Sequence, residues 1–216
     1  KRGLFAELGK LCRPQAVLAT NTPTLDVDAI AAASGRATDV AGMHFFSPAN
    51  IMRLVEIVRG RESSRATLAT IRAVTRRIGK IGVTVGNCYG FVGNRMLYAY
   101  GREKELMLLE GSTPEAIDRA LEGFGMAMGP NAVGDLAGLD IGFHARREWN
   151  ARPDDPRFYR VSDRLAELGR YGQKAGRGFY RYDGPDHRCQ PDPEVVKLIR
   201  TEAKALGVTQ RKIADA

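Results

Sequence analysis

The feature that most constrains the fold is an alternation of short apolar runs with helical patterns over the first 87 residues. Apolar residues recur at helical spacing in segments between these runs, which predicts helices there. An N-terminal helix is also expected, with Leu4, Leu8 and Leu11 on one face and Phe5 and Cys12 beside them. Strands that alternate with helices predict an α/β layer. The strands are predicted at residues 16–20, 40–46, 54–58 and 81–85, and the helices between them at residues 27–33 and 63–78.

The pattern after residue 88 is helical throughout. A long amphipathic segment covers residues 91–110, and Thr113 before Pro114 is typical of a helix N-cap and first turn. Further helices are predicted at 130–149, in a segment that ends at Gly169, at 193–206, and from 208 to 216. The chain therefore divides into an α/β part, a helical part, and a linker with a helical stub, at residues 1–88, 89–183 and 184–216.

Charge and composition limit the partners and the compartment. Lys and Arg exceed Asp and Glu by 33 to 25, a net charge of +8, which suits an acidic or phosphorylated small ligand. The basic residues form short clusters without interleaved aromatic residues, so nucleic acid is not an expected partner. No apolar run reaches the ~18 residues of a membrane span, and no secretory signal is present. Three scattered cysteines predict reduced thiols, no metal site and a cytoplasmic protein.

Three polar residues are candidates for chemistry. His44 lies at a predicted strand end, and Glu56 lies in the next, otherwise apolar strand. A short turn between these strands is expected to bring His44 and Glu56 together. A carboxylate that accepts a hydrogen bond from one imidazole nitrogen fixes the tautomer of the ring and raises the basicity of the other nitrogen. Asn94 lies in the first turn of a predicted helix, where an amide can donate to a developing oxyanion. Each residue alone also fits a structural role: a packed histidine, an outward-facing glutamate and a helix cap.

Five motifs occur in one order and at characteristic spacings along the chain. They are Gly42-Met-His-Phe-Phe-Ser-Pro-Ala49, Met52-Arg-Leu-Val-Glu-Ile57, Gly90-Phe-Val-Gly-Asn-Arg95, Met128-Gly-Pro-Asn-Ala-Val-Gly-Asp-Leu-Ala-Gly-Leu-Asp140 and Lys174-Ala-Gly-Arg-Gly-Phe-Tyr180. On these motifs, the chain from Lys1 to about Tyr182 resembles the L-3-hydroxyacyl-CoA dehydrogenase family. Residues 192–216 resemble the start of the second helical repeat of multifunctional fatty-acid oxidation enzymes.

The resemblance implies a fold and an activity. Residues 1–88 would be the C-terminal part of a Rossmann-type NAD-binding domain, residues 89–183 a helical substrate and dimerisation domain, and residues 184–216 a linker and the start of a second helical repeat. The implied activity is NAD-dependent oxidation of (3S)-3-hydroxyacyl-CoA to 3-oxoacyl-CoA in fatty-acid β-oxidation. The resemblance is also compatible with an enoyl-CoA hydratase activity in the parent enzyme.

The same resemblance implies roles for individual residues. His44 matches the catalytic histidine, Glu56 the carboxylate that orients it, and Asn94 the residue that polarises and binds the C3 oxygen of the substrate. The resemblance also implies that Lys1, Ser47 and Lys174 contact NAD.

Departures from the family pattern bear on activity. Pro23 stands where the family has a serine that contacts substrate, and Thr24 or Thr22 is the candidate replacement. Asn131 stands where an aromatic residue is usual. No Gly-x-Gly-x-x-Gly run opens the chain, so we expect a fragment that lacks the pyrophosphate site and is inactive alone.

Two other classes of function remain open from the sequence. A non-catalytic helical module would use the segments after Gly90 for dimerisation or for docking to other domains of a multifunctional enzyme. A nucleic-acid binder rests on the net charge alone.

Overall fold

The computed structural model describes residues 1–183 and 188–211. The chain folds into two compact units, Lys1–Leu97 and Tyr98–Ala216. Parts of the predicted linker and of the predicted last helix, residues 184–187 and 212–216, lie outside the described residues. Residues 208–211 are described and are not helical, so this part of the predicted last helix is wrong.

The first unit contains a mixed four-stranded sheet whose strands follow the chain order. The first two strands pair in parallel, the middle two are antiparallel, and the last two are parallel. Pairing of the first strand begins at Leu18 because its neighbour begins at Val40, directly opposite, so the strand is shorter than predicted. All four predicted strands are confirmed, as β1 (Leu18–Thr20), β2 (Val40–Phe45), β3 (Leu54–Arg59) and β4 (Ile81–Gly86).

Three α-helices lie wholly within the first unit: α1 (Arg2–Leu11), α2 (Val27–Ala33) and α3 (Arg65–Arg77). Asp26 caps α2 by accepting from the amides of Asp28 and Ala29, and Ser64 caps α3 by accepting from the Thr67 amide. The predicted apolar face of α1 is confirmed for Leu8, Phe5 and Cys12 and wrong for Leu4 and Leu11, which are 56% and 82% exposed. The buried face is centred on Phe5, which packs in a cluster with residues of α2 and the sheet.

Side chains of the sheet alternate between two apolar clusters, as the two-residue period of a strand requires. Ala41 and Met43 of β2 pack with residues of β3 and α3, whereas Val40 packs with α1 and α2. A third cluster consists of Val27, Val58, Val85 and Phe91. This packing fixes β2 and β3, the strands that carry the two candidate residues.

The second unit is helical. Helix α4 (Gly93–Leu109) begins in the first unit and continues into the second. Thr113 caps the next helix through a hydrogen bond from the Ala116 amide, as predicted. The single helix predicted over 130–149 is wrong, because Gly138 breaks it with a φ of +97°. The remaining helices are α5 (Pro114–Phe124), α6 (Pro130–Ala137), α7 (Leu139–Arg147), α8 (Arg160–Glu167) and α9 (Pro193–Ala205).

One apolar cluster forms the core of the second unit, and α9 belongs to it. Val195, Ile199 and Ala203 of α9 are buried there with residues of α4 and α8. The Arg211 amide also donates to the carbonyl of Glu110. The described part of the predicted third segment therefore packs with the helical part, and the three-part division of the chain stays a prediction.

Two buried aspartates organise the polar interior of this unit. Asp118 accepts hydrogen bonds from the Asn131 amide groups, the Ala132 amide and the Tyr180 hydroxyl. Asp135 accepts from two backbone amides and from the Tyr182 hydroxyl, and burial raises its pKa. Asn131 is thus fully buried in a polar network, where the family pattern has an aromatic residue.

Among residues 1–183 and 188–211, no helix is both long enough and apolar enough to cross a membrane.

Candidate active site

The antiparallel pairing of β2 with β3 places His44 directly opposite Glu56. The His44 Nδ1 lies 2.8 Å from Glu56 Oε2, and both residues are buried, with exposures of 6% and 2%. The predicted pair is therefore confirmed, and the alternative of an outward-facing Glu56 is wrong. A carboxylate only accepts hydrogen bonds, so Nδ1 carries the hydrogen and Nε2 keeps its lone pair.

The second oxygen of Glu56 is held by the start of α4. Oε1 accepts hydrogen bonds from the backbone amides of Val92, at 2.9 Å, and Gly93, at 2.8 Å. Three donors and the positive end of a helix dipole stabilise the charged carboxylate in this buried position. Sequence reasoning missed these donors, because a backbone amide leaves no side-chain signal.

Aromatic rings fix the position of the imidazole. The ring of Phe46 lies 4.7 Å from that of His44, and the ring of Phe91 lies 5.8 Å from it, between centroids. Within the part of the chain that the structure describes, Nε2 of His44 has no hydrogen-bond partner. It is also not one of the polar atoms that are fully buried without a partner. The nitrogen is free to accept a proton from a ligand.

Gly93 is required by the close approach of Phe46. A Cβ atom at this position would lie 2.6 Å from Phe46 Cζ and 3.7 Å from Glu56 Oε1. The motif Gly-Phe-Val-Gly-Asn thus has a local physical reason: its second glycine lets the helix start reach both the ring and the carboxylate.

Asn94 lies in the first turn of α4, directly after the two amides that bind Glu56. Its Nδ2 donates to the Pro23 carbonyl at 3.3 Å, and the residue is partly exposed. This bond holds the amide against the loop that follows β1, so the alternative role as a helix cap is not observed. The structure gives no hydrogen bond between Asn94 and His44; the two are linked through Glu56 and the helix start.

Lys1 and Ser47 lie at the end of the sheet where β1 and β2 terminate. The Lys1 Nζ donates to the Asn21 carbonyl at 2.5 Å, and the Asn21 side chain accepts from the Phe45 amide. Ser47 follows β2 and is exposed. In a sheet of this kind the carboxyl ends of parallel strands are where ligands bind.

The two threonines beside Pro23 have different surroundings. The Thr22 hydroxyl is buried and accepts from the amides of Thr24 and Leu25, so it is used within the loop. Thr24 is half-buried and lines a cleft of about 670 Å³ together with Asp26 and other residues. Because Thr22 is buried, Thr24 is the candidate replacement for the absent serine hydroxyl in this conformation.

Lys174 belongs to the second unit, in a short 3₁₀ turn over Gln173–Ala175. Its Nζ forms an ion pair with Asp140 at 2.6 Å. Desolvation raises the pKa of Asp140, but the hydrogen bond and charge of Lys174 outweigh it and hold that pKa below its ordinary value. The glycines around this turn follow no strand of the sheet, so they are not a dinucleotide fingerprint.

Among the described residues, the acidic residues, histidines and cysteines form no group of three that could hold a metal ion. The three cysteines are unpaired.

Comparisons with known proteins agree with this geometry. Residues 1–88 match the family model "3-hydroxyacyl-CoA dehydrogenase, NAD binding domain", and residues 90–182 match "3-hydroxyacyl-CoA dehydrogenase, C-terminal domain". The peroxisomal bifunctional enzyme of Danio rerio is 46% identical, in a match that covers 100% of this chain and 32% of that protein. The chain thus spans about a third of the length of such curated relatives.

Two solved structures extend the comparison. FadB2 of M. tuberculosis is 33% identical, with a TM-score of 0.77 over 84% of this chain and 66% of that one. The dehydrogenase part of multifunctional enzyme 1 from C. elegans is 35% identical, with a TM-score of 0.64 over 99% of this chain and 48% of that one. Sequence motifs, site geometry and both family models agree, and the chain belongs to the 3-hydroxyacyl-CoA dehydrogenase family.

Proposed function

We propose that the parent protein of this chain oxidises (3S)-3-hydroxyacyl-CoA to 3-oxoacyl-CoA with NAD, in fatty-acid β-oxidation. The observation that carries the proposal is the buried His44–Glu56 pair, with a 2.8 Å bond on Nδ1 and a free lone pair on Nε2. This arrangement is that of a general base whose tautomer is set by a carboxylate.

The chain's own residues supply the proton chemistry. His44 Nε2 takes the proton of the C3 hydroxyl while a hydride leaves C3, and Glu56 stabilises the imidazolium that forms. Asn94 donates its amide to the C3 oxygen as the carbonyl develops. In the reverse direction the imidazolium returns the proton to the alkoxide. Bound NAD would accept the hydride, and NADH would return it.

Residues near the sheet end fit a nicotinamide cofactor. The Lys1 ammonium and the exposed Ser47 hydroxyl are polar donors where β1 and β2 end, which is the side on which dinucleotides lie in folds of this type. We propose that these two residues and Lys174 contact the cofactor. Lys174 would do so while its charge is partly balanced by Asp140.

Thr24 is the remaining candidate for the substrate contact that Pro23 cannot make. The hydroxyl of its neighbour Thr22 is committed to hydrogen bonds within the loop, whereas these bonds do not use the Thr24 hydroxyl. With Thr24 in this role, the acyl-CoA substrate would meet a hydroxyl one position later in the chain than in the family pattern.

The comparisons support a multifunctional parent. The peroxisomal bifunctional enzyme of Danio rerio matches 100% of this chain, and the dehydrogenase part of multifunctional enzyme 1 from C. elegans matches 99% of it. Eukaryotic relatives are named as peroxisomal, so we propose the peroxisome for a eukaryotic parent and the cytoplasm for a bacterial one.

A docking or dimerisation role is the second candidate. Large apolar side chains of the second unit are exposed, which supports a homodimer or contacts with other domains of the parent. The most exposed are Phe124, Ile141, Leu168, Leu136 and Met107.

Turnover separates the two candidates. The full-length parent is assayed for acetoacetyl-CoA reduction by NADH, and this 216-residue chain is titrated with NADH. The catalytic proposal predicts turnover by the parent. A parent that folds, binds NADH and shows no turnover would favour the docking module.

A further inference from the structure

A cleft of about 360 Å³ in the second unit lies outside the site described above. Its walls come from α7, the segment that follows it, and α8. Four arginines line the cleft, together with two phenylalanines, two carboxylates and a proline: Arg147, Arg152, Arg160, Arg164, Phe143, Phe158, Asp163, Glu167 and Pro156. Its size is in the range of small-molecule pockets.

The charges of the cleft do not balance. Its four guanidinium groups exceed its two carboxylates by two positive charges. Two neighbouring residues form ion pairs with residues of the cleft: Arg146 with Asp163, and Glu202 with Arg160. Together they add one positive and one negative charge. The excess therefore persists when the neighbouring ion pairs are included.

Arg147 carries much of this excess. Within residues 1–183 and 188–211, no carboxylate pairs with it, and its side chain is exposed. Its guanidinium lies over the Phe143 ring, 5.4 Å from the centroid. An aromatic platform of this kind orients the guanidinium plane and leaves its N–H edges free.

The other arginines keep free donors as well. Arg152 lies over the Phe158 ring at 5.8 Å and binds Asp163 at 3.2 Å through one nitrogen. Arg160 contacts Glu202 through Nε, at 2.7 Å. Each guanidinium has five N–H donors, so these bonds leave several donors that can face the cleft.

We propose that this cleft binds the phosphate groups of a small polyphosphate anion, of the diphosphate class. Guanidinium groups that line one cleft match phosphate oxygens in charge and in bidentate geometry. A diphosphate satisfies the two unbalanced charges, whereas a single carboxylate does not. Binding here is independent of the proposed dehydrogenase function, because the residues of the cleft play no part in the proton chemistry.

Calorimetric titration of the 216-residue chain with inorganic pyrophosphate, at an ionic strength of about 0.01 M, tests the proposal. Inorganic phosphate and ADP are titrated in parallel. Pyrophosphate is expected to bind more tightly than phosphate, and added salt weakens the binding. If ADP binds with the same affinity as pyrophosphate, the site recognises the diphosphate alone. If ADP binds more tightly, the ligand of the site is a nucleotide. Both results support binding of the diphosphate class.

The variant Arg147→Gln is expected to weaken pyrophosphate binding by about tenfold, the value of one charged hydrogen bond. Arg119→Gln is the matched control, since Arg119 is exposed on α5 and does not line the cleft. Both variants change exposed residues, and circular dichroism verifies their folding. Absence of pyrophosphate binding by the wild-type chain, or equal binding by the wild type and Arg147→Gln, would overturn the proposal.

Discussion

Replacing Glu56 with glutamine tests how the carboxylate controls His44. Gln has one acceptor oxygen where Glu has two, and the amides of Val92 and Gly93 both require an acceptor. The amide oxygen of the variant therefore faces the helix start, and its NH₂ group faces His44 Nδ1. Because NH₂ only donates, Nδ1 must lose its hydrogen, and the hydrogen moves to Nε2.

The consequence for catalysis follows from this change of tautomer. A protonated Nε2 cannot take the proton of the substrate hydroxyl, and the imidazolium loses its anionic partner. Turnover should fall by about 10²–10⁴-fold, the contribution typical of a positioned base. Stability should fall by only about 1–2 kcal/mol, since both helix amides keep their acceptor.

Two measurements check this expectation. The ¹⁵N chemical shifts of His44 in the 216-residue chain report the tautomer directly, and the full-length parent gives the turnover rate. Glu62→Gln is the matched control, because Glu62 is an exposed carboxylate of the same unit. A variant that keeps hydrogen on Nδ1, or an unchanged turnover in a folded protein, would refute this role of Glu56.

Three further substitutions test separate parts of the structure. Asn94→Ala should lower turnover of the parent by about 10²–10³-fold with little change in melting temperature, because its bond to Pro23 is long; equal turnover would exclude it from oxyanion stabilisation. The hydrogen bond from Asn87 lowers the pKa of Asp26 below 3.8, so the bond stabilises the fold fully above pH 3.8 and this stabilisation is lost as the pH falls. The loss of unfolding free energy caused by Asn87→Ala, measured by urea unfolding, should therefore be smaller in acid. A loss that does not change with pH would contradict this expectation. Asp118→Ala should cost about 3–5 kcal/mol in urea unfolding by leaving four buried donors unpaired, and a cost below about 1 kcal/mol would contradict that role.

The site could be predicted where side-chain type and strand period carry the information. His44 and Glu56 lie on strands joined by a short connection, and their pairing followed once both strands were assigned. Asn94 was identified from its motif. The amides of Val92 and Gly93 could not be predicted, since any residue except proline supplies the same donor.

Sequence periodicity predicted most helices and strands, but not the features that depend on tertiary packing, such as which face of a helix is buried. Leu4 and Leu11 match a helical period, yet the side of α1 that is buried depends on where α2 lies. Gly138 ends one helix and begins another, which a helical pattern that continues across it does not reveal. The packing of α9 against the second unit's core likewise depends on long-range contacts that sequence spacing does not encode.

His44→Gln in the full-length parent tests the central claim most directly, namely that the His44 imidazole is the general base. His144→Gln serves as the matched control, since His144 is an exposed histidine of α7. We predict that His44→Gln lowers acetoacetyl-CoA reduction by about 10²–10⁴-fold with the fold intact, and that the control keeps wild-type turnover. A His44→Gln variant that retains more than about a tenth of the wild-type rate would contradict the role of His44 as the base.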